Sequence, residues 1–77
     1  MRMNLCKALR AMTADSGKTH REIARDLGRG DAYVSVAVSN VCNGRDIGVG
    51  KLVSIADACG YDVVLVNRGS GEEMTLG

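Results

Sequence analysis

Two short apolar stripes at helical spacing, separated by Gly-Arg-Gly, constrain this chain more than any other feature of its sequence. They begin within residues 21–38, REIARDLGRGDAYVSVAV. The first stripe consists of Ile23, Ala24 and Leu27, and the second of Val34, Ala37, Val38 and Val41. Because residues three and four apart share one face of a helix, the pattern predicts two amphipathic helices in quick succession.

The residues between and before these stripes predict how the two helices meet. Thr19 and Glu22 have the spacing of a capping box at the start of the first helix. Gly28 can take the left-handed conformation that ends it. Ala24 is small enough for a close helix crossing, and Val34 can wedge the second helix onto the first. The spacing therefore predicts a helix-turn-helix unit.

The flanking sequence predicts two further helices and one strand. One helix begins at Met3 or Asn4, and another follows the glycines of residues 48–50. Their inward-facing residues are Leu5, Ala8, Leu9 and Met12 in the first case, and Leu52, Ile55, Ala56 and Cys59 in the second. Residues 61–67, YDVVLVN, are typical of a strand. We therefore expect a domain over residues 1–68 and a mobile, acidic tail over residues 69–77.

The ordered combination of these features resembles the λ-repressor-like, Xre-type helix-turn-helix family. The resemblance covers roughly residues 5–66, and its central unit runs from His20 to Ser39. The sequences YVSVAV and GRDIGVGKLVSIADACGYDV are similar to family segments, whereas Arg29 and Gly48 depart from the family's usual apolar and capping residues. The resemblance implies a mainly α fold, a bundle of four to five helices, with the C-terminal strand added.

The resemblance also implies a DNA-binding surface on the third helix. The residues that match the family's base-facing positions are Asp31, Ala32, Ser35, Val36 and Ser39. Ala32 or Val36 can meet thymine methyl groups, Ser35 can donate or accept, and Asp31 can accept from a cytosine amine. The candidate phosphate contacts are His20, Arg21, Arg29, Asn43, Arg45 and Lys51. The charge distribution also favours a polyanionic partner at this end of the chain. Residues 1–51 hold nine Lys/Arg against five Asp/Glu, whereas residues 52–77 hold one Lys/Arg against four Asp/Glu.

Other function classes have little support in the sequence. Cys6, Cys42 and Cys59 are odd in number and widely spaced, and the chain has one histidine, so we expect neither a disulfide framework nor a zinc site but small core thiols. There is no phosphate loop, paired-carboxylate site or nucleophile with a base, so we expect no enzyme and no cofactor. Without a signal-like or membrane-spanning apolar run, we expect a reducing, cytoplasmic setting.

A single strand would leave an unpaired edge and uncovered valines. Val64 and Val66 have no evident cover, although residues 1–5, MRMNL, alternate weakly. We therefore expect the strand to pair with a second copy across a twofold axis. The resulting hypothesis is a homodimeric transcriptional repressor on a palindromic operator. The alternative is an antitoxin-like or adaptor module that binds a partner protein through the strand and tail.

Overall fold

Four helices and a two-stranded hairpin make up the described part of this protein. The computed structural model describes residues 2–77. Its elements, in chain order, are α1 (Leu5–Asp15), α2 (His20–Asp26), α3 (Tyr33–Cys42), α4 (Val49–Ala58), β1 (Val63–Val66) and β2 (Glu73–Leu76). The expected mainly helical domain with four helices is thus confirmed. In residues 2–77, no helix is both long and apolar enough to cross a membrane.

The caps of α1 and α2 follow the sequence pattern. The Asn4 side chain accepts a hydrogen bond from the backbone N–H of Lys7 at 2.9 Å. Thr19 Oγ1 accepts from the Glu22 N–H at 3.1 Å, while Glu22 Oε1 accepts from the Thr19 N–H at 3.0 Å. Gly28 has the expected positive φ, +67°. These contacts confirm both predicted caps and the glycine stop after α2.

Helix α3 begins without a side-chain cap, although Asp31, a residue type that often caps helices, lies just before it. Ala32 is the N-cap residue, and no side chain caps this helix. The Ala32 backbone is already helical, and the Tyr33 N–H donates to the Gly30 carbonyl at 3.0 Å. A turn of this kind does not give the extended backbone that a capping side chain needs. The Asp31 carboxylate is free to face arginine side chains instead.

The core combines apolar residues from all four helices. Its buried hydrophobic side chains are Leu9, Met12, Ile23, Ala24, Val34, Ala37, Val38, Ile55, Ala56 and Cys59. Leu5, expected to face inward, is exposed, and Ala8 is half-buried. Thr13 is the buried polar residue, and its hydroxyl donates to the Leu9 carbonyl at 2.9 Å. The core holds no aromatic side chain, so its stability comes from small aliphatic contacts.

The C-terminal segment is a hairpin of two strands rather than a lone strand. Strand β1 pairs antiparallel with β2, and Val63 lies opposite Leu76 while Leu65 lies opposite Met74. The side chain of Asn67 accepts hydrogen bonds from the N–H groups of two following turn residues, and Gly71 supplies a positive φ of +78°. The segment expected to be a mobile tail thus holds a second strand, because glycine and polar residues here build a tight turn. The suggested pairing with MRMNL is wrong in the described residues 2–5, which include no strand.

A disulfide joins Cys6, at the start of α1, to Cys42, the last residue of α3. The expectation of three unpaired core thiols is wrong for these two residues and correct for the buried Cys59. Sequence spacing could not reveal the bond, because the two cysteines are 36 positions apart and the packing of α1 on α3 brings them together.

Candidate nucleic-acid interface

Helix α3 separates an inner apolar face from an outer face of small side chains. Val34, Ala37 and Val38 are buried. Ser35, Val36 and Ser39 lie on the outer side and are exposed, Val36 by 50%. Ala32, immediately before the helix, is also exposed. The outer face of α3 is therefore accessible to a large, flat or grooved partner, because its own exposed side chains are short.

A depression lies between the N-terminal ends of α2 and α3. It is lined by Thr19, His20, Arg21, Asp31, Ala32 and Ser35. The His20 Nδ1 and Ser35 Oγ atoms are 3.3 Å apart, so a hydrogen bond joins the two helices across it. This contact places the His20 ring, a candidate phosphate ligand, directly beside Ser35, a candidate base contact.

Asp31, at the edge of this depression, forms ion pairs with two arginines of α2. Its Oδ1 accepts from Arg25 Nε at 3.2 Å, and its Oδ2 lies 3.6 Å from Arg21 Nε. All three side chains are more than half exposed. The carboxylate therefore orients two guanidinium groups beside the outer face of α3, although such exposed pairs add little to stability.

A second depression lies on the other side of Asp31 and Ala32. Asp31 and Ala32 line this depression too, together with Gly30, Tyr33, Val36 and Lys51. Lys51 Nζ lies 4.9 Å from the centroid of the Tyr33 ring, and Arg29 Cζ lies 5.3 Å from it. The ion pairs of residues 2–77 involve neither of these cations. The ring of Tyr33, half-buried against the core, thus holds two positive charges that are not in any of these ion pairs.

The C-terminal end of α3 carries the remaining polar candidates. The Asn43 side-chain amide donates to the Ser39 carbonyl at 2.9 Å and lies 3.3 Å from the Ser39 hydroxyl. The Arg45 N–H donates to the Asn40 carbonyl at 2.8 Å, which folds the loop back over the helix end. Both Asn43 and Arg45 are exposed at the start of the loop over residues 43–48.

The structure brings most of the predicted site residues together around α3. His20 and Arg21 join Asp31, Ala32 and Ser35 on one side. On the other side Lys51 lies near Val36, and Arg29 and Lys51 both lie over the Tyr33 ring. Val64 and Val66 lie apart, on β1. Sequence reasoning missed the role of Tyr33 in holding two cations. Arg29 lies four positions before Tyr33, but no local signal could have brought in Lys51, eighteen positions after it.

No group of three or more His, Cys, Asp or Glu side chains within residues 2–77 is arranged to hold a metal ion. The shifted pKa values belong to groups outside the outer face of α3. The two Thr19 hydrogen bonds lower the pKa of Glu22, and the Asp15 carboxylate, which accepts from Tyr61 at 2.7 Å, raises the pKa of that phenol. Glu22 belongs to the cap at the start of α2, and Tyr61 contacts Asp15 at the end of α1.

In comparisons with protein families, curated proteins and solved structures, this chain had no significant match.

Proposed function

We propose that this protein is a sequence-specific DNA-binding regulator of transcription that acts as a repressor, with α2 and α3 forming a helix-turn-helix of the λ-repressor-like class. One observation carries the proposal. The outer face of α3 is built of small side chains, and unpaired or loosely paired cations lie on both of its flanks. A helix of this kind fits the major groove, and its flanking cations can meet the phosphates of both strands.

Base reading falls to the exposed residues at the start and middle of α3. Ala32 and Val36 can contact thymine methyl groups, and Ser35 and Ser39 can donate or accept at base edges. Asp31 retains acceptor capacity for a cytosine amine, since a carboxylate has about four lone-pair sites and its two arginine contacts use only part of them.

Phosphate contacts fall into three groups around that helix. His20 and Arg21 form the first, Arg29 and Lys51 on Tyr33 form the second, and Asn43 and Arg45 form the third. Only the second group combines two cations that take part in none of the ion pairs of residues 2–77, so we expect it to be the strongest phosphate site. An enzymatic role has no comparable support, and the proposal needs no cofactor.

We further propose that the repressor is a homodimer joined through β1. The Asn67 N–H donates to the Glu72 carbonyl, so the alternation of an antiparallel ladder directs the backbone groups of Val64 and Val66 away from β2. That edge of the sheet is unpaired within residues 2–77. A second copy added there would complete a four-stranded sheet and place its own β1 beside Leu65 and Val66, which are 50% and 56% exposed. Twofold symmetry would place the two α3 helices about 34 Å apart on a palindromic operator.

The same exposed hairpin favours a second candidate function, an antitoxin-like or adaptor module. Leu65, Val66 and Met74 could contact a different protein by strand addition. The two candidates differ in self-association. A repressor dimer forms from the purified chain alone, whereas the adaptor stays monomeric until its partner is added.

Selection of bound duplexes from a random DNA library tests the proposed function. We expect a half-site repeated with twofold symmetry, and an affinity for the selected duplex that falls steeply between about 50 and 200 mM salt. Binding without sequence preference or without salt dependence would contradict the proposal. Arg68→Ser is a matched control, since it removes an exposed cation from the hairpin turn and not from the α3 surface.

A further inference from the structure

The disulfide anchors the part of α3 that has the fewest buried contacts. The buried side chains of α3, Val34, Ala37 and Val38, lie in its first six residues. Its last four residues, 39–42, are exposed or only half-buried. The Cys6–Cys42 bond therefore ties to the first turn of α1 a helix end that only the partly buried Val41 and Cys42 pack against the core.

The anchored end leads directly into a proposed phosphate-binding loop. Asn43 follows Cys42 and holds the Ser39 carbonyl, and Arg45 returns to Asn40. The loop over residues 43–48 has one half-buried side chain, Ile47, and the rest of its side chains are exposed. Segments with few buried contacts open locally at low free-energy cost, so their order depends strongly on each remaining tether.

We propose that the Cys6–Cys42 pair is a redox switch for DNA binding: the disulfide orders the end of α3 and the loop over residues 43–48, and its reduction releases them and weakens the complex. The proposal rests on the DNA-binding function proposed above. It goes beyond that function by naming the condition under which the protein binds.

The chemistry is a two-electron thiol–disulfide exchange with a low-molecular-weight thiol such as glutathione. One glutathione thiolate attacks a sulfur of the bond, forms a mixed disulfide and releases the other cysteine, which takes up a proton. A second glutathione thiolate attacks the mixed disulfide, which yields glutathione disulfide and the second protein thiol. The oxidising direction is the reverse. Cys59 takes no part, because it is buried in the core and burial raises the pKa of its thiol.

The test measures two properties of the same protein in buffers of reduced and oxidised glutathione. Thiol counting identifies the states, with Cys59 alone free in the oxidised protein and all three cysteines free in the reduced one. We expect the Kd for the selected duplex to rise at least about tenfold on reduction and to recover on reoxidation. Amide hydrogen exchange should accelerate over residues 39–48 and change little at the buried residues of α2.

Two variants separate the switch from other effects of reduction. Cys59→Ala keeps the pair and should keep the full redox response. Cys6→Ser/Cys42→Ser should bind and exchange like the reduced protein in both buffers. Equal Kd values in the two states of the wild type, with the bond shown to be broken, would overturn the proposal.

The same measurements distinguish failure of the switch from failure of the proposed function. An oxidised protein that binds no duplex contradicts DNA binding itself. Hydrogen exchange then tests by itself whether the disulfide orders the end of α3. Faster exchange over residues 39–48 on reduction supports that effect, and unchanged exchange overturns it.

Discussion

Thr19 and Glu22 show how two side chains define the start of the helix-turn-helix unit. Each satisfies a backbone N–H of the other, at 3.1 Å and 3.0 Å. Thr19→Ala removes one acceptor, so we expect the free energy of unfolding to fall by about 1 kcal/mol. Urea denaturation measures this change. Thr75→Ala, at an exposed position on β2, is the control and should change the unfolding free energy much less.

The Glu22 carboxylate should make part of this stability depend on pH. Hydrogen bonds from Thr19 lower the pKa of Glu22 in the folded protein. The contribution is therefore fully present above the unfolded-state pKa of about 4.5 and is lost as pH falls through the lower folded-state value. Glu22→Gln keeps an acceptor for the cap but does not titrate. Thermal melting between about pH 6 and 3 should show a shallower decline for this variant than for the wild type; equal declines would show that other carboxyl groups dominate.

Ala32 and Val34 are two positions apart but belong to opposite sides of α3. Ala32 is exposed, whereas Val34 is fully buried. Ala32→Glu places a negative charge on the proposed DNA surface, so we expect loss of duplex binding with the melting temperature nearly unchanged. Val34→Asp buries a charge in the core and should unfold the domain. Duplex affinity that survives Ala32→Glu in a folded protein would show that α3 does not face DNA.

Lys51 and Arg29 both lie over the Tyr33 ring, and we expect both to bind DNA phosphates. Removing either cation from the Tyr33 site should weaken binding to all duplexes and reduce the slope of log K against log salt concentration by about one. Lys51→Gln and Arg29→Gln test this by titration at several salt concentrations. Arg68→Ser should leave the slope unchanged, and an unchanged slope in the other two variants would remove this site from the interface.

At the scale of elements, the helices follow from local signals and the hairpin does not. Caps such as Thr19 with Glu22 act over three residues, and the apolar stripes repeat every three or four, so the sequence predicts all four helices. Strand β2 depends on a turn in which Asn67 and Gly71 reverse the chain, and the same glycine-rich composition is typical of mobile tails. The grouping of candidate site residues was predictable only where the family resemblance aligned them; the meeting of Lys51 with Tyr33 depends on tertiary packing.

The disulfide between α1 and α3 is a contact between elements that the sequence did not predict. It closes a chain segment with a separation of 36 residues, for which loop-closure entropy predicts a stabilisation of about 3–4 kcal/mol. Cys6→Ser/Cys42→Ser should lose about that free energy of unfolding in urea, and the reduced wild type should match the variant. A loss below about 1 kcal/mol would mean that the reduced, unfolded chain is already compact.

At the scale of the whole molecule, the proposed dimer depends on the free edge of β1. Leu65→Lys puts a charge at an exposed apolar position of β1, so we expect a folded monomer with much weaker binding to the palindromic duplex. Light scattering measures the mass, and titration measures the affinity. Thr75→Lys adds the same charge on β2, the strand farther from the free edge, and should stay dimeric. A Leu65→Lys variant that remains dimeric would place the interface elsewhere.

The placement of the two tyrosines gives the molecule a pair of separate optical reporters. The sequence has no tryptophan or phenylalanine. Tyr33 lies beneath two cations at the proposed DNA surface, whereas Tyr61 lies before the hairpin and donates to Asp15. Tyr61→Phe leaves only the emission of Tyr33, which should respond to added duplex, and Tyr33→Phe leaves only that of Tyr61, which should respond to dilution of a dimer. Ultraviolet fluorescence of the unlabelled chain can thus follow DNA binding and subunit association independently.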